Sequence, residues 1–275
     1  MQDKLVLIIE AGRTERHYWL DIWRYRELFY FLAWRDILVR YKQTVIGILW
    51  AVIRPLLAIV VFTVIFGKLA NLPSGDIPYP ILVCAAMLPW QFFASAFAEA
   101  GNSLIGNSNL ISKVYFPRLI IPASAIVVTF VDFLISALIL VGLMLWYGFL
   151  PDWRLLALPL FIVVAIGAAL GIGLWLAALN VKYRDFRFVI PFIAQFGLYV
   201  SPVGFSSSVV PEQWRLLYSI NPLVGVIDGF RWALLRGQES IYWPGLILST
   251  ALVVLLLISG IVFFRRAERS FADFI

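Results

Sequence analysis

The sequence predicts an all-α integral membrane protein: six transmembrane helices, an amphipathic interfacial helix at the N-terminus, and short re-entrant gate helices between helices five and six. Three observations predict it. Of 275 residues, 62% are hydrophobic and 14% charged, whereas soluble domains carry roughly 45–50% and about 25%. The apolar residues fall in long runs, and a bilayer core needs roughly 20 of them per helix. Sixteen of the 22 Lys and Arg residues lie in segments that six spans put on one side. That composition excludes an ordinary soluble enzyme.

Residues 1–44 are too polar for the membrane core. They show no short apolar stretch with a small-residue cleavage site, so no signal peptide is expected. Residues 24–42 have helical propensity and seven charges. Trp34, Ile37, Leu38 and Tyr41 recur at i, i+3, i+4, i+7. Arg24, Arg35 and Lys42 flank that stripe on one side, and Arg26, Asp36 and Arg40 on the other. Such a helix lies along the inner leaflet with Arg and Lys reaching for lipid phosphates. A second apolar strip, Leu28, Leu32 and Val39, fits equally a plain anchor or a helix that touches both lipid and protein.

The transmembrane domain runs over 45–264, with spans at 45–66, 81–98, 119–145, 155–179, 188–203 and 245–264. The fifth contains Pro191 and Pro202 and reaches only about 24 Å as helix. Basic residues number eight in 1–44, two in 104–118, three in 180–187 and three in the tail 265–275. The positive-inside rule then puts both termini in the cytoplasm, which requires an even number of spans. Trp146, Trp153 and Trp243 stand where an outer aromatic belt is expected.

Two connections are more than turns. Residues 105–118 carry Asn107-Ser108-Asn109, which is helix-cap chemistry, and Pro117, which ends a short helix. That helix would expose Leu110, Ile111, Val114, Tyr115 and Phe116 to a partner; the alternative cover is the chain's own N-terminal helix. Residues 204–243 are too long for a tight turn and too apolar for a free loop. Leu223 to Leu235, interrupted by Asp228 and Arg231, spans only about 20 Å as helix and cannot cross. It reads as an outer gate dipping in from one side, or as a helix lying on the surface.

Charges inside spans are costly and mark candidate sites. Arg54, ahead of Pro55, either pairs with Glu99, Asp132 or a neighbouring chain, or lines an aqueous path. Gly167, Gly171 and Gly173 give a smooth face for a neighbouring helix. There is no phosphate-binding loop, no zinc-protease motif and no nucleophile elbow. One His (His17) and one Cys (Cys84) exclude a multi-histidine metal centre and an intramolecular disulfide. No internal repeat marks a secondary carrier.

The chain resembles the membrane subunit of ABC-type polysaccharide exporters, which move O-antigen, capsule and teichoic acid chains. The residues that carry the resemblance are Arg40-Tyr41-Lys42-Gln43-Thr44, Gly47-Ile48-Leu49-Trp50, Arg54-Pro55-Leu56, Leu88-Pro89-Trp90, Asn107 to Arg118, Tyr183-Arg184-Asp185, Ser201-Pro202, Asn221-Pro222 and Phe230-Arg231. They span nearly the whole chain. The resemblance implies an inner-membrane permease, most of all for O-antigen, working as a homodimer with two separate ATP-binding subunits that hold the ATP and Mg. This chain itself would bind no cofactor, metal or nucleic acid and would not be an enzyme.

The same resemblance implies site residues. Coupling to the ATPase would fall to Asn107, Asn109, Leu110, Ile111, Lys113, Val114, Tyr115, Phe116 and Arg118, with Tyr183, Arg184 and Asp185 as a second contact. Trp34, Arg40, Tyr41 and Lys42 would lie at the inner interface beside the entry for an undecaprenyl-diphosphate-linked glycan. Asn221, Pro222, Asp228 and Arg231 would belong to the outer gate. A glycan path needs aromatic faces for sugar C–H groups, and Trp50, Trp90, Phe92 and Phe93, with Arg54 for the diphosphate, are its candidates. The alternatives are a permease for a small lipid or drug, a membrane-embedded lipid or glycan enzyme, and a structural anchor.

Overall fold

The computed structural model describes residues 18–42, 47–71, 77–183 and 185–271. Among them are helices and turns, and no strand. The helices are α1 (Tyr18–Arg24), α2 (Arg26–Lys42), α3 (Gly47–Phe62), α4 (Tyr79–Gly106), α5 (Ser108–Lys113), α6 (Ile120–Trp146), α7 (Leu158–Lys182), α8 (Phe186–Val200), α9 (Glu212–Tyr218), α10 (Pro222–Leu234) and α11 (Trp243–Glu268). Among the described residues, five stretches are long and apolar enough to cross a membrane: Val52–Leu69, Tyr79–Gly106, Ile120–Trp146, Trp153–Lys182 and Trp243–Glu268. The 15-residue α8 is apolar but shorter.

Local chemistry sets the boundaries. Proline opens α4, α7, α10 and α11 within their first two positions, where its missing N–H costs nothing. Asn221 caps α10, its side-chain oxygen accepting the Leu223 N–H at 3.1 Å. Past Phe62, α3 continues as a π-helical turn, Thr63–Leu69. α8 stops at Val200, because Pro202 drives Ser201 into the extended region (φ −91°, ψ 152°).

Helix α4 forms the centre of the bundle and is enclosed along most of its length, while the other candidate spans bury only a minority of their residues. The small-residue face of α7 is used inside the chain. A Cβ on Gly260 of α11 would lie 2.5 Å from the Gly171 carbonyl oxygen, and one on Gly173 would lie 2.7 Å from Ala100 of α4. The neighbours expected for that face are thus α11 and α4 of the same chain.

The Tyr18 hydroxyl donates to Glu268 at 3.0 Å, so the two ends of the described chain meet at one end of the bundle, the base. There Leu32, Leu104, Ile111, Phe116, Ile120, Leu174, Phe264 and Phe271 build a second apolar core, separate from the one around α4. The opposite end, the crown, carries the α6–α7 turn, residues 201–208, α9 and α10.

Candidate functional site

The base gathers the predicted coupling residues. Helix α5 ends at Lys113, earlier than Pro117. Asn107 holds the N-cap position, but its side chain makes no cap bond. Its amide donates to the Ser103 carbonyl, and its oxygen accepts Arg35 Nη2 of α2 at 2.9 Å. The expected exposed apolar face is only partly present. Ile111 and Phe116 are each 4% exposed and belong to the base core, Leu110 is half-buried, and Val114 and Tyr115 stay open beside Lys113 and Asn109. The physical reason is that α1, α2 and α11 cover the inner side of this segment. Arg118 points into the base, donating its backbone N–H to Glu268 Oε1 at 2.7 Å. Burial beside Glu268 raises the Tyr18 hydroxyl far above its ordinary range, so it stays a donor. Tyr183 and Asp185 are exposed at the α7–α8 turn; Arg184 lies outside the described residues.

Helix α2 climbs from the base along α4 and α6. Trp34 is half open and stacks on Tyr30, and Lys42 is exposed. Arg40 reaches Glu99 of α4 at 3.2 Å and Asp132 of α6 at 3.3 Å. Tyr41 donates its hydroxyl to Asp132, and burial followed by that carboxylate keeps the phenol protonated. Glu99 and Asp132, the carboxylates proposed for Arg54, are therefore held by Arg40 and Tyr41. Arg54 itself stands on an exposed face of α3.

The aromatic candidates separate. Trp90, Phe92 and Phe93 are 5%, 3% and 4% exposed. They pack with Phe97, Phe130 and Phe133 in the core around α4, so this chain covers their ring faces itself. The side chain of Trp50 lies outside the described set. Open aromatic faces occur instead on α8: Phe188, Phe192, Phe196 and Tyr199 are all more than half exposed. Phe192 and Phe196 stack at 5.8 Å. Gln195, also exposed, sits on the same face between Phe192 and Tyr199. The i, i+4 aromatic spacing was present in the sequence and would have found this face.

At the crown, the four predicted gate residues surround the unwound backbone after α8. Ser201 and Val203 are fully buried. Buried carbonyls outside a helix need partners, and Arg231 supplies them. This arginine, 1% exposed, donates Nη1 to Phe205 O at 2.6 Å and Nη2 to Val203 O at 3.1 Å. Tyr79 donates to Gly204 O at 2.7 Å, and Asn221 Nδ2 donates to Ser201 Oγ at 2.9 Å. Asp228 accepts from Ser207 at 2.7 Å and Glu239 accepts from Ser206 at 2.6 Å. Asp228 lies on α10, which does not span; burial pushes its carboxyl up to about 6, against the opposing pull of Ser207 and Arg231. Pro222, at the first position of α10, fixes where that helix begins. A small cavity lined by Ser207, Arg215, Tyr218, Asp228 and Tyr242 opens beside this strap. Sequence reasoning missed Tyr79, Glu239, Glu268, Ser206 and Ser207, because their pairings join separate segments without a local signature.

No group of His, Cys, Asp and Glu capable of holding a metal occurs among the described residues. The chain is 27% identical to the O-antigen export system permease protein RfbA of Klebsiella pneumoniae over 240 residues, covering 87% of this chain and 91% of that one. It is 25% identical to the Myxococcus xanthus protein of the same name, over 90% and 95% of the two chains. It is 24% identical to the polysialic acid transport protein KpsM of Escherichia coli, over 75% and 80%. Residues 27–235 match the ABC-2 type transporter family, from α2 through the crown helix α10, and the chain belongs to that family of transporter membrane subunits.

Proposed function

We propose that the chain is the permease subunit of an ATP-driven exporter that moves polysaccharide, on an undecaprenyl-type diphosphate carrier, outward across the bacterial inner membrane. O-antigen is the first candidate. The observation that carries this reading is similarity along most of the chain to an O-antigen export system permease protein and to a polysialic acid transport protein. ATP hydrolysis then belongs to separate subunits, two per pair of permeases.

The geometry supports the parts of this reading. In the six-crossing arrangement, α8 and the mostly buried strap 201–208 together make the fifth crossing, with both termini in the cytoplasm. The α8 face is aromatic yet carries Gln195, whose amide is costly against lipid. Facing a second copy and a sugar-filled path suits it better. On this reading Arg54 of α3 serves the same path and meets the carrier diphosphate. The open tip Lys113–Val114–Tyr115 suits a dock for the ATPase, and the exposed Tyr183 and Asp185 at the α7–α8 turn suit a second contact. Crown helices α9 and α10, pinned to the strap through Asn221, Asp228 and Arg231, make the outer gate.

Deletion of the gene tests the substrate. Cells without the chain are expected to accumulate carrier-linked polysaccharide inside and to lose it from the surface. Normal surface polymer, or accumulation of a small lipid instead, would remove the proposal.

A further inference from the structure

Glu268 is the last residue of α11, yet its carboxylate serves the far end of the 107–118 segment. Oε1 accepts the Arg118 backbone N–H at 2.7 Å, and Oε2 accepts the Tyr18 hydroxyl at 3.0 Å. The Arg118 guanidinium returns a bond to the Glu268 carbonyl at 2.5 Å and lies 5.8 Å over the Phe271 ring. Phe271, 1% exposed, meets Phe264 edge to face. These partners are 150 and 250 residues away from Glu268 in sequence, so none is a local helix cap. One carboxylate therefore ties the C-terminal helix to the loop exit and to α1. The tip Lys113–Tyr115, only three residues from Arg118, remains open. These hydrogen bonds join segments far apart in sequence, and the tip's displacement has a direct route through them.

We propose that Glu268 is a positioning residue for ATPase coupling: it fixes the segment's exit at Arg118, so that motion of the exposed tip is carried into α11. The proposal rests on the reading of 107–118 as the ATPase dock.

The test uses the full permease with its ATP-binding partner in vesicles, reading glycan moved per ATP hydrolysed. With Glu268→Ala, the complex is expected to assemble and hydrolyse ATP, while glycan per ATP falls about tenfold. Glu268→Gln restores the ratio, because its amide oxygen still accepts from Arg118. Hydrogen exchange over 114–121 rises with Glu268→Ala and not with Glu268→Gln. An unchanged ratio with Glu268→Ala overturns the proposal, as does a loss confined to the amount of assembled complex. Should that variant not fold, Glu268→Asp, whose carboxylate is one methylene too short to keep the Arg118 N–H, must lower the ratio in the same way; no change there overturns the proposal too. Alanine at Lys113, Val114 and Tyr115 together separates the two readings. If it weakens assembly while Glu268→Ala changes nothing, only the positioning role fails; if neither changes anything, the docking reading fails as well.

Discussion

Arg231 shows how one side chain licenses an irregular backbone. The strap after α8 has no helix to satisfy its carbonyls, and Arg231 spreads its fork over two of them, Val203 O and Phe205 O. Each buried carbonyl left unpaired costs about 1–3 kcal/mol. Arg231→Leu is therefore expected to cost roughly 3 kcal/mol or more and to lower the melting temperature of the detergent-solubilised protein. Arg231→Lys is expected to rescue little, since an ammonium lacks the planar fork. Equal stability of all three would refute the role. Asp228 adds a pH dependence. Its carboxyl lies at about 6 in the fold against an ordinary 3.8, so between those values the folded chain binds the proton more tightly than the unfolded one. Its contribution to stability is thus fully present below about 3.8 and lost as pH rises through about 6. Asp228→Asn is expected to flatten melting temperature against pH in that window, and an unchanged slope would sink the assignment.

At the scale of elements, α7 and α11 meet backbone to backbone at Gly171 and Gly260, with no room for a Cβ. Gly260→Ala is expected to destabilise by about 1–3 kcal/mol through overpacking. Gly142→Ala on α6, where a Cβ meets nothing within 4 Å, is the control and is expected to be neutral or slightly stabilising. Similar thermal stability of the two would contradict this helix contact. The helices themselves were legible: runs of apolar residues mark α6, α7, α10 and α11 to within a few residues, whereas α4 continues past the expected end at Ala98, through Glu99, to Gly106. The use of the small-residue face was not. A glycine pattern states that something approaches closely, and only the fold decides that it is α11 and α4. Helix α5 likewise begins where its cap residues stand, but Asn107 spends its side chain on Arg35 and Ser103 instead.

At the scale of the whole molecule, charge and hydropathy announced the membrane class, and a scattered set of short stretches announced the family. Individual site residues were legible unevenly. Asn221, Asp228 and Arg231 converge on the strap, because polar groups in an apolar segment must find one another. Trp90, Phe92 and Phe93 turn inward, because an aromatic run on the central helix is covered from every side; the open aromatic face belongs to α8. The central claim is that this chain forms a path for a lipid-linked polysaccharide and takes its energy from a separate ATPase. The most direct measurement is outward movement of that substrate in sealed vesicles carrying the purified chain with its ATP-binding partner. Movement is expected only when both proteins and ATP are present, and it should stop when the partner's nucleotide site is disabled. ATP-independent chemical turnover of the substrate by the chain alone, or no movement with both proteins present, would contradict the claim.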